Sequence, residues 1–224
     1  MSSSDSIVAH HFEDIEQQRD SATLGMWLFL TTEVMFFGGL FAAYIVMRVM
    51  YPEAFIIGSQ TLSVGLGTFN TFILLVSSLT VALASRAAQI GNRNHLVWYL
   101  VATVVLGTIF LGVKVIEYQD KFAAGMYPQP GFTMPEAYAD YAAHAAQVNI
   151  FLFLYFVMTG MHALHMIIGI PLIAIIAILA YRGRYTRGDY MTVENTGLYW
   201  HFVDIVWIFL FPLLYLIDRT GNAV

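Results

Sequence analysis

Apolar residues fall along this chain in long unbroken runs, not in the alternation of a half-buried strand or the single stripe of a surface helix. The first run covers about residues 25–47 and closes at Arg48, Tyr51 and Pro52. A short loop containing Pro52 and Gly58 leads to Ser63, and a second run covers about 66–85, ending at Arg86. The polar residues 86–95, RAAQIGNRNH, predict a hairpin before a third run over about 96–118. A fourth covers about 148–180 and a fifth about 198–216, joined by the basic turn YRGRYTRGDY. Each run is near or beyond the roughly 20 residues a helix needs to cross a bilayer. The pattern predicts an all-α polytopic membrane protein: a five-helix bundle over residues 25–217, with a polar tail over 1–24 and a short C-terminal tail over 218–224.

Finer signals refine the runs. Ser21 or Thr23 is placed to cap the first helix. The second run carries Asn70 and a small-residue set, Gly65, Gly67, Ser77 and Ser78, that suits close helix contact. The fourth run exceeds the bilayer thickness, so it must tilt or project, and Pro171 marks a kink. Gln119 to Gln147 is the one long connection, rich in Pro, Tyr and Ala, and reads as a functional loop or docking surface. There is no internal repeat and no soluble domain.

Composition excludes the main competitor, a soluble helical core. Charged residues make up 11% of the chain and hydrophobic residues 58%, with a mean hydropathy of +0.68. An ordinary soluble domain carries roughly a quarter charged residues. The formal charge of −5 gives no case for nucleic acid, and the absence of cysteine excludes disulfides and thiolate ligation by this chain. The N-terminal segment lacks the basic region and cleavage site of a signal peptide. With the N-terminus inside, Arg19, Arg86, Arg93, Arg182, Arg184 and Arg187 fall on the inner side, against Arg48, Lys121 and Arg219 outside. This excess predicts an N-in, C-out orientation.

Polar groups inside such runs are expensive and therefore informative. Glu33 stands in the apolar segment LFLTTEVMFFGGLFAAY with no cation in its own helix to pair with. It reads either as a neutral, hydrogen-bonded group holding two helices together or as one that exchanges a proton or senses lipid. Lys114 and Glu117, at i, i+3, share a face and read as a mutually neutralising pair at the membrane interface. His162 and His165, also i, i+3, read as neutral histidines bonded across helices or to a lipid headgroup. A haem, copper or zinc site is the alternative, but no third ligand stands at that depth. His201 and Asp204, again i, i+3, read as a structural pair or a proton relay. Glu33, His201 and Asp204 are expected to cluster in the cytoplasmic half. His10 and His11 in the tail are a weak metal candidate beside a solvated one.

At these residues the chain resembles a known family. LFLTTEVMFFGGLFAAY is similar to the Ser/Thr-Glu-Val-x-Phe-Phe segment of subunit III of the haem–copper oxidases. Glu117-Tyr118 resembles that family's Glu-Tyr ending, TGMHALHMIIG its double-histidine segment, and VENTGLYWHFVDIVWIFLFPLLYL its closing Tyr-Trp-His-Phe-Val-Asp motif. The four motifs stand in family order and cover about residues 24–217. The resemblance is greatest to cytochrome c oxidase subunit III in its five-span bacterial form. Two N-terminal helices of the seven-span form have no counterpart in this sequence, so the lipid-filled cleft they build is expected to be absent, remodelled or closed by another subunit.

The resemblance implies a bacterial inner-membrane subunit of a proton-pumping terminal oxidase of aerobic respiration, with no cofactor of its own. It places haems and copper in partner subunits, with oxidase subunit I as the main contact and subunit II beside it. Small extra subunits or a respiratory supercomplex are further partners. It implies bound phospholipid and support of proton uptake. It puts Glu33 at the family's buried carboxylate and makes His162, His165, Glu194, Trp200, His201 and Asp204 signature positions with structural or lipid-contact roles. No catalytic role follows for any of them. Cytochrome c is the expected electron donor. A quinol oxidase subunit III is the runner-up, and a proton-coupled transporter using Glu33, His201 and Asp204 is the reading from another class.

Overall fold

The computed structural model describes residues 14–185 and 190–217. Among them the structure is helical without strands. The elements are α1 (Ile15–Met50), α2 (Pro52–Gln60), α3 (Val64–Ile90), α4 (Arg93–Ala123), a 3-10 segment (Glu136–His144), α5 (Ala145–Tyr181) and α6 (Met191–Tyr215). Five helices are long and apolar enough to cross a membrane: α1, α3, α4, α5 and α6.

Local chemistry sets the helix ends, and several differ from expectation. The first helix begins at Ile15, because the Asp14 carboxylate accepts from the Gln17 amide at 2.7 Å and so satisfies a free N–H of the first turn. Ser21 and Thr23 therefore lie inside α1 and do not cap it, and residues 15–24 are helix, not tail. His10 and His11 lie outside the described residues. The second spanning helix, α3, runs past Arg86 to Ile90 and stops at Gly91, whose φ of 80° is the left-handed conformation that glycine adopts most readily. Asn92 then caps α4 by accepting from the His95 amide at 3.2 Å. This two-residue turn makes α3 and α4 antiparallel neighbours.

The presumed loop before Ser63 contains α2, started by Pro52 in its first turn. Phe55 of α2 packs edge-on against Tyr44 and Phe151, with ring centroids 5.2 and 5.4 Å away. Gly58 sits so close to Phe151 that a Cβ there would fall 2.2 Å from the ring. The helix thus closes one end of the bundle. The long connection is shorter than its sequence suggested: α4 continues to Ala123, and residues 136–144 form the 3-10 segment. Its irregular part is pinned by Asn149, which donates to the Gln129 carbonyl at 3.0 Å and accepts from the Gln129 amide at 3.2 Å. The fourth span, α5, continues through Pro171 without ending.

The core lies around α6. Trp200 and Trp207 are fully buried. Trp200 fits between Gly107 of α4 and Gly169 of α5, where an added Cβ would come within 2.8 and 3.0 Å of the indole. Gly67 of α3 lies equally close to Phe211. In contrast, α1 fully buries only Leu30, Phe37 and Tyr44, a narrow seam seven residues apart, with Met26, Leu40, Phe41 and Met47 half-buried beside it.

Candidate functional site

Among the described residues four polar constellations stand inside this bundle; two of them close on themselves, while His162 and Asp204 in the other two lack hydrogen bonds of ordinary geometry. The most enclosed is built on α4. Lys114 Nζ lies 2.8 Å from Glu117 Oε2, with both residues 3% exposed. Lys114 also donates to the hydroxyls of Tyr215 at 2.9 Å and Tyr155 at 3.3 Å. Those hydroxyls donate in turn to Glu117 Oε1 at 2.6 and 3.1 Å. The ammonium lies 5.2–5.6 Å from the rings of Tyr118, Tyr155, Trp207 and Tyr215. A buried ion pair is tolerated only when its remaining donors and acceptors are also satisfied, which is the arrangement here. One turn on, Lys121 donates to the Thr61 carbonyl and to Thr61 Oγ1, and the Tyr118 and Thr159 hydroxyls meet at 2.5 Å. The i, i+3 spacing of Lys114 and Glu117 disclosed the pair, but Tyr155 and Tyr215, on α5 and α6, left no signal in the sequence.

Glu33 finds its cation-capable partner on another helix. Its Oε2 lies 3.0 Å from His165 Nε2, while His165 Nδ1 faces the Met161 carbonyl at 2.8 Å. A ring nitrogen against a carbonyl must carry hydrogen. One further proton is then shared across the Glu33–His165 contact, either as neutral carboxylic acid and imidazole or as carboxylate and imidazolium. The net charge is zero in both. Tyr199 of α6 donates to the His165 carbonyl at 2.9 Å, so α1, α5 and α6 meet at this point.

His162 does not share a site with His165. It is 1% exposed and turned toward Phe110 of α4 and Trp207 of α6, at centroid distances of 5.4 and 5.2 Å. One turn later His165 faces α1. The common face read from their spacing is therefore divided between two interfaces. Among the described residues, no three His, Cys, Asp or Glu side chains are grouped to hold a metal ion.

The fourth constellation runs down α6. Gln89 donates to Glu194 at 2.5 Å, Trp200 Nε1 to Ser77 Oγ at 2.9 Å, and Trp207 Nε1 to Thr71 Oγ1 at 3.0 Å. His201 Nδ1 is bonded to Ser78 Oγ at 2.8 Å. These bonds step down α3 as they step up α6, an antiparallel ladder of side chains that fixes their register. Ser77 and Ser78 serve it as hydrogen-bonding groups as well as small ones. The expected His201–Asp204 pair is not made. The Ser78 hydroxyl has taken the imidazole, and neither oxygen of Asp204 has a hydrogen bond of ordinary geometry although Ser78 stands beside it. Glu33 is bonded to His165 of α5, and not to His201 or Asp204.

These features define a multi-pass helical membrane protein whose signature side chains are mostly spent on its own helix contacts. The family model for Cytochrome c oxidase subunit III matches residues 3–127 and 131–218. The chain is 34% identical over 202 residues to cytochrome c oxidase subunit 3 of Thermostichus vulcanus, covering 89% of each. To the same subunit of Synechocystis it is 32% identical over 199 residues, which is 88% of this chain and 76% of the relative. It is 29% identical over 203 residues to a probable quinol oxidase subunit 3 of Staphylococcus haemolyticus, covering 89% of this chain and 90% of that one. The chain belongs to the cytochrome c oxidase subunit III family, whose members are subunits of haem–copper terminal oxidases.

Proposed function

We propose that this chain is the stabilising, non-redox subunit III of a proton-pumping terminal oxidase that takes electrons from cytochrome c. The single observation that carries this reading is the family match across all five spans. In it, haems and copper reside in subunits I and II, and subunit I is the main contact. The chain lies N-in, C-out in a bacterial cell membrane, with phospholipid against its outer surface. Glu33 and His165 are assigned to join α1 to the bundle on the side where protons enter, with a proton or lipid role. Glu194, Trp200 and His201 are assigned to hold α6 on α3, and Lys114 with Glu117 to hold α4 to α5 and α6. His162 is assigned to fill the core between α4 and α6.

Two observations weigh against the other classes. A relay through Glu33, His201 and Asp204 would need a connected chain, yet Glu33 is bonded to His165 and His201 to Ser78. A site shared by His162 and His165 would need both rings to face one space, yet they pack against different helices. The quinol-oxidase reading keeps its support from the Staphylococcus relative. The donor is decided by assaying the detergent-purified complex with reduced cytochrome c and with quinol. Oxidation of cytochrome c, together with a copper-binding subunit II in the preparation, is expected. Turnover with quinol alone would replace the first reading with the second.

A further inference from the structure

Between α3 and α6 lies a cavity of about 140 Å³. Thr71, Ser78, His201 and Asp204 supply its polar wall. Its rim carries Leu75, Ile205 and Ile208, which are 51%, 51% and 43% exposed on the flank of the bundle. Asp204 is only 3% exposed, and its carboxylate lacks hydrogen bonds of ordinary geometry. The hydroxyl of Ser78 is engaged by His201 Nδ1 at 2.8 Å. Even turned toward Asp204, its single proton would meet one position of a carboxyl group that accepts hydrogen bonds whether ionised or neutral. The other polar signature groups of α6 are bonded within the chain, so Asp204 is the one that is left open.

Depth decides what answers it. Asp204 lies about 20 Å along α6 from Met191 and about 17 Å from Tyr215, at 1.5 Å per residue. A lipid headgroup at either end does not reach that level, and an acyl chain offers no donor. The opening faces sideways between apolar rim residues, so it does not lead into bulk water. The volume admits one polar side chain or a few waters. A carboxyl oxygen accepts in either protonation state, so the unmet position on this wall calls for a donor.

We propose that this notch is an intramembrane docking site for a hydrogen-bond-donating side chain on a transmembrane helix of another oxidase subunit. The proposal rests on the reading of this chain as an oxidase subunit and names the face that its partner covers. The rim residues Leu75, Ile205 and Ile208 pack on the partner helix. Asp204 receives its donor, and Ser78 and His201 hold the wall on which that donor lands.

The chain contains no cysteine, so a cysteine placed at Ile208 is the one site in this chain that a benzophenone label can occupy, and adducts are assigned only where the label is mapped to it. The labelled, intact oxidase is irradiated in native membranes, and the adduct is identified by mass spectrometry. The expected adduct joins this chain to another oxidase subunit, within one helical turn of a side chain bearing an N–H or O–H donor. Asp204→Leu is expected to reduce its yield about tenfold and to speed release of this chain in detergent about tenfold, whereas Asp204→Asn, which keeps an acceptor, retains most of it. A lipid-only product, an adduct between two copies of this chain, or an adduct indifferent to Asp204→Leu overturns the proposal. If Asp204→Leu does not accumulate, the mapped adduct of the otherwise unchanged chain decides alone: a partner segment without a donor contradicts it. Failure of the parent reading is recognised separately, because the chain would then purify without any haem-bearing subunit.

Discussion

His165 Nε2 and Glu33 Oε2 stand 3.0 Å apart and join the loosely packed α1 to α5 through one shared proton. The helix they secure fully buries only three side chains of its own, and this contact and the Tyr44 hydroxyl on the Leu213 carbonyl are polar ties that hold it to the bundle. Glu33→Gln can still donate to an imidazole nitrogen. Assembly of the complex and its initial turnover are expected to be unchanged. Glu33→Leu leaves His165 Nε2 without its partner in an apolar setting, at a cost of about 1–3 kcal/mol. Limited proteolysis in detergent should then cut α1 sooner in the Leu variant than in the Gln variant. Loss of assembly in Glu33→Gln would show that an ionised carboxylate is required.

The Lys114 network predicts strong non-additivity. Lys114→Met leaves the buried Glu117 with only two tyrosine hydroxyls, and breaking a buried ion pair from one side costs about 3–5 kcal/mol. Adding Glu117→Gln removes the stranded charge. Thermal unfolding in detergent should therefore show the double variant to be more stable than Lys114→Met alone.

Close packing of α6 predicts sensitivity at glycines that look interchangeable in the sequence. Gly107→Ala drives a methyl to within 2.8 Å of Trp200 and is expected to destabilise by about 1–3 kcal/mol. Gly112→Ala, five residues away on the same helix, meets no atom within 4 Å. It should leave the melting temperature of the purified chain within about a degree of the parent's, or raise it slightly, because alanine favours helix.

The Asn149–Gln129 clasp predicts a local effect. Asn149→Ala removes both bonds that hold the irregular connection against α5. Amide exchange at Gln129 and its neighbours should rise about tenfold or more, while exchange in α4 and α6 stays unchanged.

Much of this was legible in the sequence because the bilayer imposes a coarse rule. Apolar runs of spanning length define helices, and five runs gave five spans. The helix ends were less legible. Asp14 outcompetes Ser21 and Thr23 as a cap because nothing between them breaks a helix. Pro52 reads equally as a terminator and as a first-turn residue, so α2 looked like a loop. At the sites, i, i+3 spacing reported what one helix can report. It found Lys114 with Glu117, since both turn toward the same neighbours. It misled at His201 and Asp204, where a serine from α3 intervenes, and at His162 and His165, where a helix in the centre of a bundle touches several partners within one turn. The Glu33–His165 contact spans 132 residues, and no local pattern encodes it.

A haem spectrum of this chain, affinity-purified in gentle detergent and then dissociated from whatever accompanies it, tests the subunit assignment most directly. The intact preparation is predicted to show haem absorbance with this chain in stoichiometric amount. After dissociation all the haem and copper should remain with the partners, which still reduce oxygen, but with turnover that decays faster. Haem retained by the isolated chain, or a chain that purifies without any haem-bearing partner, would contradict it.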